Sequence, residues 1–133
     1  MYVMRSFFLW LDKNRSIGIL ILRLFVGLRL IYGVIDNVLS WERMLEFESF
    51  LSKVGFPFPL LCAVVSVYAQ LIAGILFIVG WKIRYAALVM IFNFAVAWIM
   101  VDRFGTVEQM TPALAMFFSS VVFLFVGKGR EAE

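Results

Sequence analysis

Three charged residues interrupt a run that should be wholly apolar: Arg23, Arg29 and Asp36 all fall between Ile17 and Leu39. In an apolar medium a guanidinium holds an anion or donates to carbonyl oxygens, while an aspartate takes up a proton or pairs with a cation. With the midpoint of the run near Leu28, Arg29 lies close to its centre. At the helical rise, Arg23 is about 8 Å toward one end and Asp36 about 12 Å toward the other. Arg29 and Asp36 share one helical face two turns apart, with Gly33 between them. Arg23 points roughly 120° away from Arg29, so a straight helix cannot bring both to one small site. It reads instead as an anchor that snorkels to the headgroups, or as a donor to a neighbouring helix.

Polar side chains recur at similar depth in three other apolar runs: Gln70, Asn93 and Ser119-Ser120, with the rings of Tyr32 and Tyr68 nearby. Taken singly, these act as glue, since polar groups bond across membrane helices for ~0.6 kcal/mol on average. Small residues spaced by four, such as Ala69 and Ala73, Gln70 and Gly74, or Ala115 and Ser119, let backbones approach. Taken together with Arg29 and Asp36 they form a candidate intramembrane site, because charge is a costly adhesive. The chain has no histidine, and its one cysteine is Cys62. Bis-histidine haem, His-ligated zinc or copper, cysteine-ligated iron–sulfur clusters, CxxC pairs and His-based triads are therefore excluded within it. An internal disulfide is excluded by counting. No metal-ligated or covalent cofactor is expected, and any redox chemistry belongs to a bound organic molecule or a partner.

The elements that must position these residues follow from composition. The 133 residues are 64% hydrophobic and 16% charged, with mean hydropathy +0.99; soluble domains run at roughly 45–50% apolar and about 25% charged. A single domain of this size cannot hide so much apolar surface from water, so the bilayer is its expected solvent. Four runs approach the ~20 residues that span a hydrocarbon core: Ile17 to Leu39, Leu60 to Val79, Tyr85 to Val101 and Pro112 to Val126. Pro57 and Pro59 mark the start of the second. Thr111 reads as N-cap of the fourth with Pro112 at its first position, although that run is short and an earlier start near Val107 would lengthen it. The runs are continuously apolar, which argues against membrane strands. The first residues do not read as a cleavable signal. Residues 1–12, with aromatic side chains beside Arg5, Lys13 and Arg15, suit a short interfacial helix or a tail.

Topology follows from the cations. Arg5, Lys13, Arg15, Lys82, Arg84, Lys128 and Arg130 fall on one side of four crossings, and the other side has fewer cations and more acids. The positive-inside rule puts both termini in the cytoplasm; the even scatter of the charges is no nucleic-acid footprint. In residues 40–54, Trp41, Met44, Leu45, Phe47, Phe50, Leu51 and Val54 share a broad arc opposite Glu42, Glu46, Ser49 and Lys53. This predicts an amphipathic helix in the first outer loop, either a surface anchor or a lid. The expected fold is an all-α membrane protein, a four-helix transmembrane bundle.

Several segments resemble the DoxX family of small bacterial membrane proteins over about Leu20 to Arg130. Leu22-Arg23-Leu24 followed by Gly27 and Gly33 is similar to the family's L-R-L-x-x-G…G helix. Phe50-Leu51-Ser52-Lys53-Val54-Gly55-Phe56-Pro57 resembles its F-L-x-x-x-G-x-P. The run from Gln70 through Gly74, Leu76, Gly80 and Arg84 to Ala87 resembles E-x-x-G-G-x-x-L-x-x-G-x-x-T-R-x-A-A, and the end at Gly127 to Gly129 fits as well. This chain departs from the pattern at three places. Gln70 replaces the usual glutamate, Asp36 stands where a lysine is frequent, and the histidine common around the third helix is absent.

The resemblance implies the cytoplasmic membrane of a bacterium and a link to a quinone-dependent oxidoreductase, the family being named after a subunit of such an enzyme. Quinone carbonyls accept hydrogen bonds, so Arg29, Gln70, Asn93, Tyr32 or Tyr68 would hold a head group while a partner oxidoreductase subunit supplies electrons. Two other roles are compatible with the same residues. One is a small-anion or lipid site at Arg29 and Arg23; the other is a structural partner subunit, as a monomer or a homo-oligomer, whose polar layer is glue.

Overall fold

The computed structural model describes residues 1–128, so Gly129 and Arg130 lie outside the described residues. The described residues are helical throughout, without strands. The helices are α1 (Tyr2–Lys13), α2 (Arg15–Leu39), α3 (Trp41–Lys53), α4 (Pro59–Val79), α5 (Ile83–Met100) and α6 (Val107–Val126), with a short 3-10 turn at Asp102–Phe104 after α5. α2, α4, α6 and the stretch Ile83–Phe104 are each long and apolar enough to cross a membrane. No more than 28% of any of these spans is buried inside the molecule. Most of their apolar surface therefore has lipid as its solvent, and the chain is a multi-pass membrane protein.

The ends of the helices are written in local sequence. Pro59 occupies the first position of α4, where its missing N–H costs nothing. α4 stops at Gly80, whose φ of 84° is the left-handed conformation that ends a helix without a Cβ penalty. The start of α6 corrects the Thr111 cap expected from sequence. Thr106 is the N-cap, its hydroxyl accepting from the Gln109 N–H while the Gln109 side chain accepts from the Thr106 N–H. That reciprocal box satisfies two free donors and outweighs the signal of Pro112, which lies inside the helix. Thr111 instead bonds the Val107 carbonyl behind it.

Packing makes two helix pairs, α2 with α4 and α5 with α6, joined through the α4–α5 contact. Without water to expel, such pairs depend on close approach. At the α2–α4 crossing a Cβ on Gly27 would lie 2.6 Å from the Gly74 carbonyl oxygen, and one on Gly74 would lie 2.8 Å from that of Gly27. Both glycines thus meet backbone, which cannot rotate away. Around the crossing Val26, Leu30, Ala73, Phe77, Met90 and Phe123 form the main core, with Phe77 and Phe123 in ring contact at 4.9 Å. A second cluster joins α2, α3 and α4: Met44 and Leu51 of α3 are buried against Val34, Ala63 and Val67. α3 is therefore docked on the bundle through two of its apolar side chains. The whole of α1 is exposed.

Substituting Gly27→Ala or Gly74→Ala should cost about 1–3 kcal/mol, the usual penalty for forcing atoms into a packed contact. Gly18→Ala, where a new Cβ meets nothing within 4 Å, should instead be neutral or stabilising by up to about 1 kcal/mol. Thermal unfolding of the three variants in one detergent separates these outcomes.

Candidate functional site

At the end of the bundle where α2 and α5 finish and α4 and α6 begin, the helices do not close completely. The space between α3, α4 and α5 is a cavity of about 380 Å³, walled by Phe47, Phe50, Phe56, Phe92 and Phe94 together with aliphatic side chains. Phe47 and Phe50 reach it because α3 is docked; Phe92 and Phe94 bracket Asn93 on α5. Ser66, Gln70 and Asn93 supply its polar part, and Asp102 borders it. A mostly apolar wall with a few converging polar groups is the usual make-up of a small-molecule site.

The polar part is an ordered relay. The Gln70 Nε2 amide donates to Ser66 Oγ at 3.1 Å, and the Ser66 hydroxyl donates to Asn93 Oδ1 at 2.7 Å. Ser66 and Gln70 stack because they are one helical turn apart on α4, and Asn93 comes across from α5. The relay uses one end of each amide. Gln70 Oε1 and Asn93 Nδ2 have no partner among the described residues, and neither is sealed from its surroundings. One acceptor and one donor are therefore left over, on two residues that border the cavity.

Two further cavities adjoin Gln70. One, of about 380 Å³, is bordered by Asp36, Asn37, Arg43, Glu46 and Gly33, with Arg43 and Glu46 forming an exposed ion pair at 3.4 Å. The other, of about 510 Å³, lies between α2, α4, α5 and α6 and is bordered by Arg29, Asp102, Gln109 and the proline-containing turn of α6. Arg29 bends over Gly33, where a Cβ would come within 2.8 Å of its Nη1, and its guanidinium stands 5.9 Å from the Tyr32 ring centre. It extends toward Asp36 without forming an ion pair with it.

The structure thus brings Gln70 and Asn93 together through Ser66 and sets Arg29 and Asp36 in separate cavities that both touch Gln70. It does not bring in the other three candidates. Tyr32 and Tyr68 are exposed, at 77% and 42%, and border none of these cavities. Arg23 is buried at the opposite end of the bundle, where its Nε donates to the Phe77 carbonyl at 2.9 Å. That carbonyl is one of the last four of α4 and has no partner within its own helix, so Arg23 completes the helix end and neutralises its negative pole. Ser120 is also buried, its hydroxyl without a partner among the described residues. Ser66, Asp102 and Gln109 were not singled out from sequence. The spacing of Ser66, one turn before Gln70, is a signal that could have found it; Asp102 and Gln109 were hidden among loop charges and caps.

The family model described as DoxX matches residues 18–103, which contain all but the first turn of α2, the whole of α3 to α5 and every residue of the relay. No curated protein and no solved structure matches the chain. The cavity side of the molecule and the Arg23 side should respond differently to substitution. Arg23→Ala should cost about 1.5–3 kcal/mol, the scale for a buried bond to a charged group. Asn93→Ala, whose partner remains partly accessible, should cost no more than about 1.5 kcal/mol. Equilibrium unfolding in mixed micelles measures both.

Proposed function

As the chain belongs to the DoxX family, we propose that it is a membrane subunit that holds a quinone or quinol ring for a partner oxidoreductase. The observation that carries this reading is the phenylalanine-walled cavity with a free amide donor and a free carbonyl acceptor at Asn93 and Gln70. Flat rings of the phenylalanines suit a flat ring as guest, offset or edge-on. The two amide ends give it polar partners at a depth where water is scarce. The chain's own residues would bind and orient the ring; the electron chemistry belongs to the ring and to a partner protein.

In the proposed arrangement the protein lies in the bacterial cytoplasmic membrane with both termini in the cytoplasm, as its lysines and arginines favour. The cavity then faces the outer leaflet. α3 lies across it as an amphipathic lid, with Met44 and Leu51 buried against the bundle and Phe47 and Phe50 over the guest. α1, with Arg5 and Lys13 among its aromatic side chains, rests at the inner interface. A reporter that fluoresces only in the cytoplasm should light up when fused after residue 133; a dark fusion of well-expressed protein would invert the topology.

The relay would also join α4 to α5 if it were only glue, and the two roles separate in one comparison. Protein transferred with its native lipids into nanodiscs should yield a quinone on solvent extraction. The Gln70→Leu variant should retain about tenfold less, the scale of one lost hydrogen bond. Absence of quinone from the parent protein, or equal retention in the variant with lowered stability, leaves glue as the role of the relay.

A further inference from the structure

The Ser66 hydroxyl has one proton, and it sits between two amides that each have a donor end and an acceptor end. Whichever amide Ser66 donates to must turn its carbonyl to the serine and its NH2 to the cavity. The other must turn its NH2 to the serine and its carbonyl to the cavity. Reversing the chain of bonds exchanges the two roles but never yields two donors or two acceptors. We infer that Ser66 makes the cavity selective for a hydroxyl-bearing ring, a hydroquinone, over the corresponding quinone. This inference rests on the reading of the cavity as a ring site and adds the redox form that it prefers.

A hydroxyl accepts one bond and donates another, so one placed between the two amides would satisfy the Asn93 and Gln70 ends together, as the Ser66 hydroxyl satisfies their other ends. A quinone oxygen only accepts. It pairs with the free NH2 and leaves the free carbonyl facing a second electron-rich oxygen. Ser66 acts through the two amides and is a positioning residue. Removing its hydroxyl uncouples them, and each then turns to suit either guest. Gln70 matters for the same reason: a glutamate at this position would bring a charge into the relay, whereas an amide keeps donor and acceptor in fixed proportion.

The test is titration of the whole chain in nanodiscs with durohydroquinone under anaerobic conditions and with duroquinone, each referred to empty nanodiscs. The parent protein should bind the reduced ring about tenfold more tightly than the oxidised one, as expected for one added hydrogen bond. Ser66→Ala should bring the ratio close to one, and Ser66→Thr, which keeps the hydroxyl, should preserve it. A loss of stability alone would weaken both guests equally and leave the ratio unchanged. Equal affinities in the parent, or an unchanged ratio in Ser66→Ala, overturn the selectivity while leaving the ring site intact. Failure of both rings to bind the parent removes the ring site itself.

Discussion

The rest of the structure depends on two backbones touching. Gly27 and Gly74 let α2 and α4 approach until each carbonyl oxygen stands where the other glycine's Cβ would be. In a lipid environment hydrocarbon chains compete equally well for apolar side chains, so close backbone approach and bonds between helices hold such a pair together. The closeness has consequences in both directions along the pair. On one side it brings Arg23 of α2 within reach of the Phe77 carbonyl of α4. On the other it leaves the helices free to part around Gly33 and Gln70, where the cavities open.

The polar groups of the bundle therefore divide by their relation to this crossing. The arginines on the tight side are consumed by the fold. Arg23 serves the end of α4, and Arg84 of α5 serves the end of α6 in the same manner, through the Leu124 and Phe125 carbonyls. Those on the open side are incompletely used. Arg29 has a tyrosine ring for company, and the amides of Gln70 and Asn93 each keep one end free. The chain has no histidine and a single cysteine. What the open side holds is a largely apolar space bordered by five phenylalanines, with a small number of oriented dipoles.

Much of this could be read from the chain. The four apolar runs, the proline start of α4 and the glycine end at Gly80 are local features, and local physics decides them. The mid-depth residues Gln70 and Asn93 were visible as polar atoms in the wrong solvent. Position along one helix could not reveal which of them meet. Arg23 and Arg29 look alike in sequence, six residues apart; one is buried on a carbonyl and the other borders a cavity, and only the neighbour across the crossing distinguishes them. The start of α6 misled for a related reason. Pro112 is a strong local signal, but Thr106 and Gln109 together satisfy two donors, and two bonds outweigh one missing N–H. Tyr32 and Tyr68 were drawn toward the site by depth alone, and rotation about the helix axis took them to the surface.

The bond from Arg23 spans 54 residues of chain. During synthesis α2 is complete well before the end of α4 exists. Over that interval a helix with two arginines and an aspartate must sit at a membrane that charges ~2.5–3.5 kcal/mol for such a group at its centre. Gly27 faces nothing during the same period. The first span thus meets the membrane before the carbonyl that Arg23 bonds has been made. For Arg23, what the first span lacks on entering the bilayer is supplied only by the end of the second.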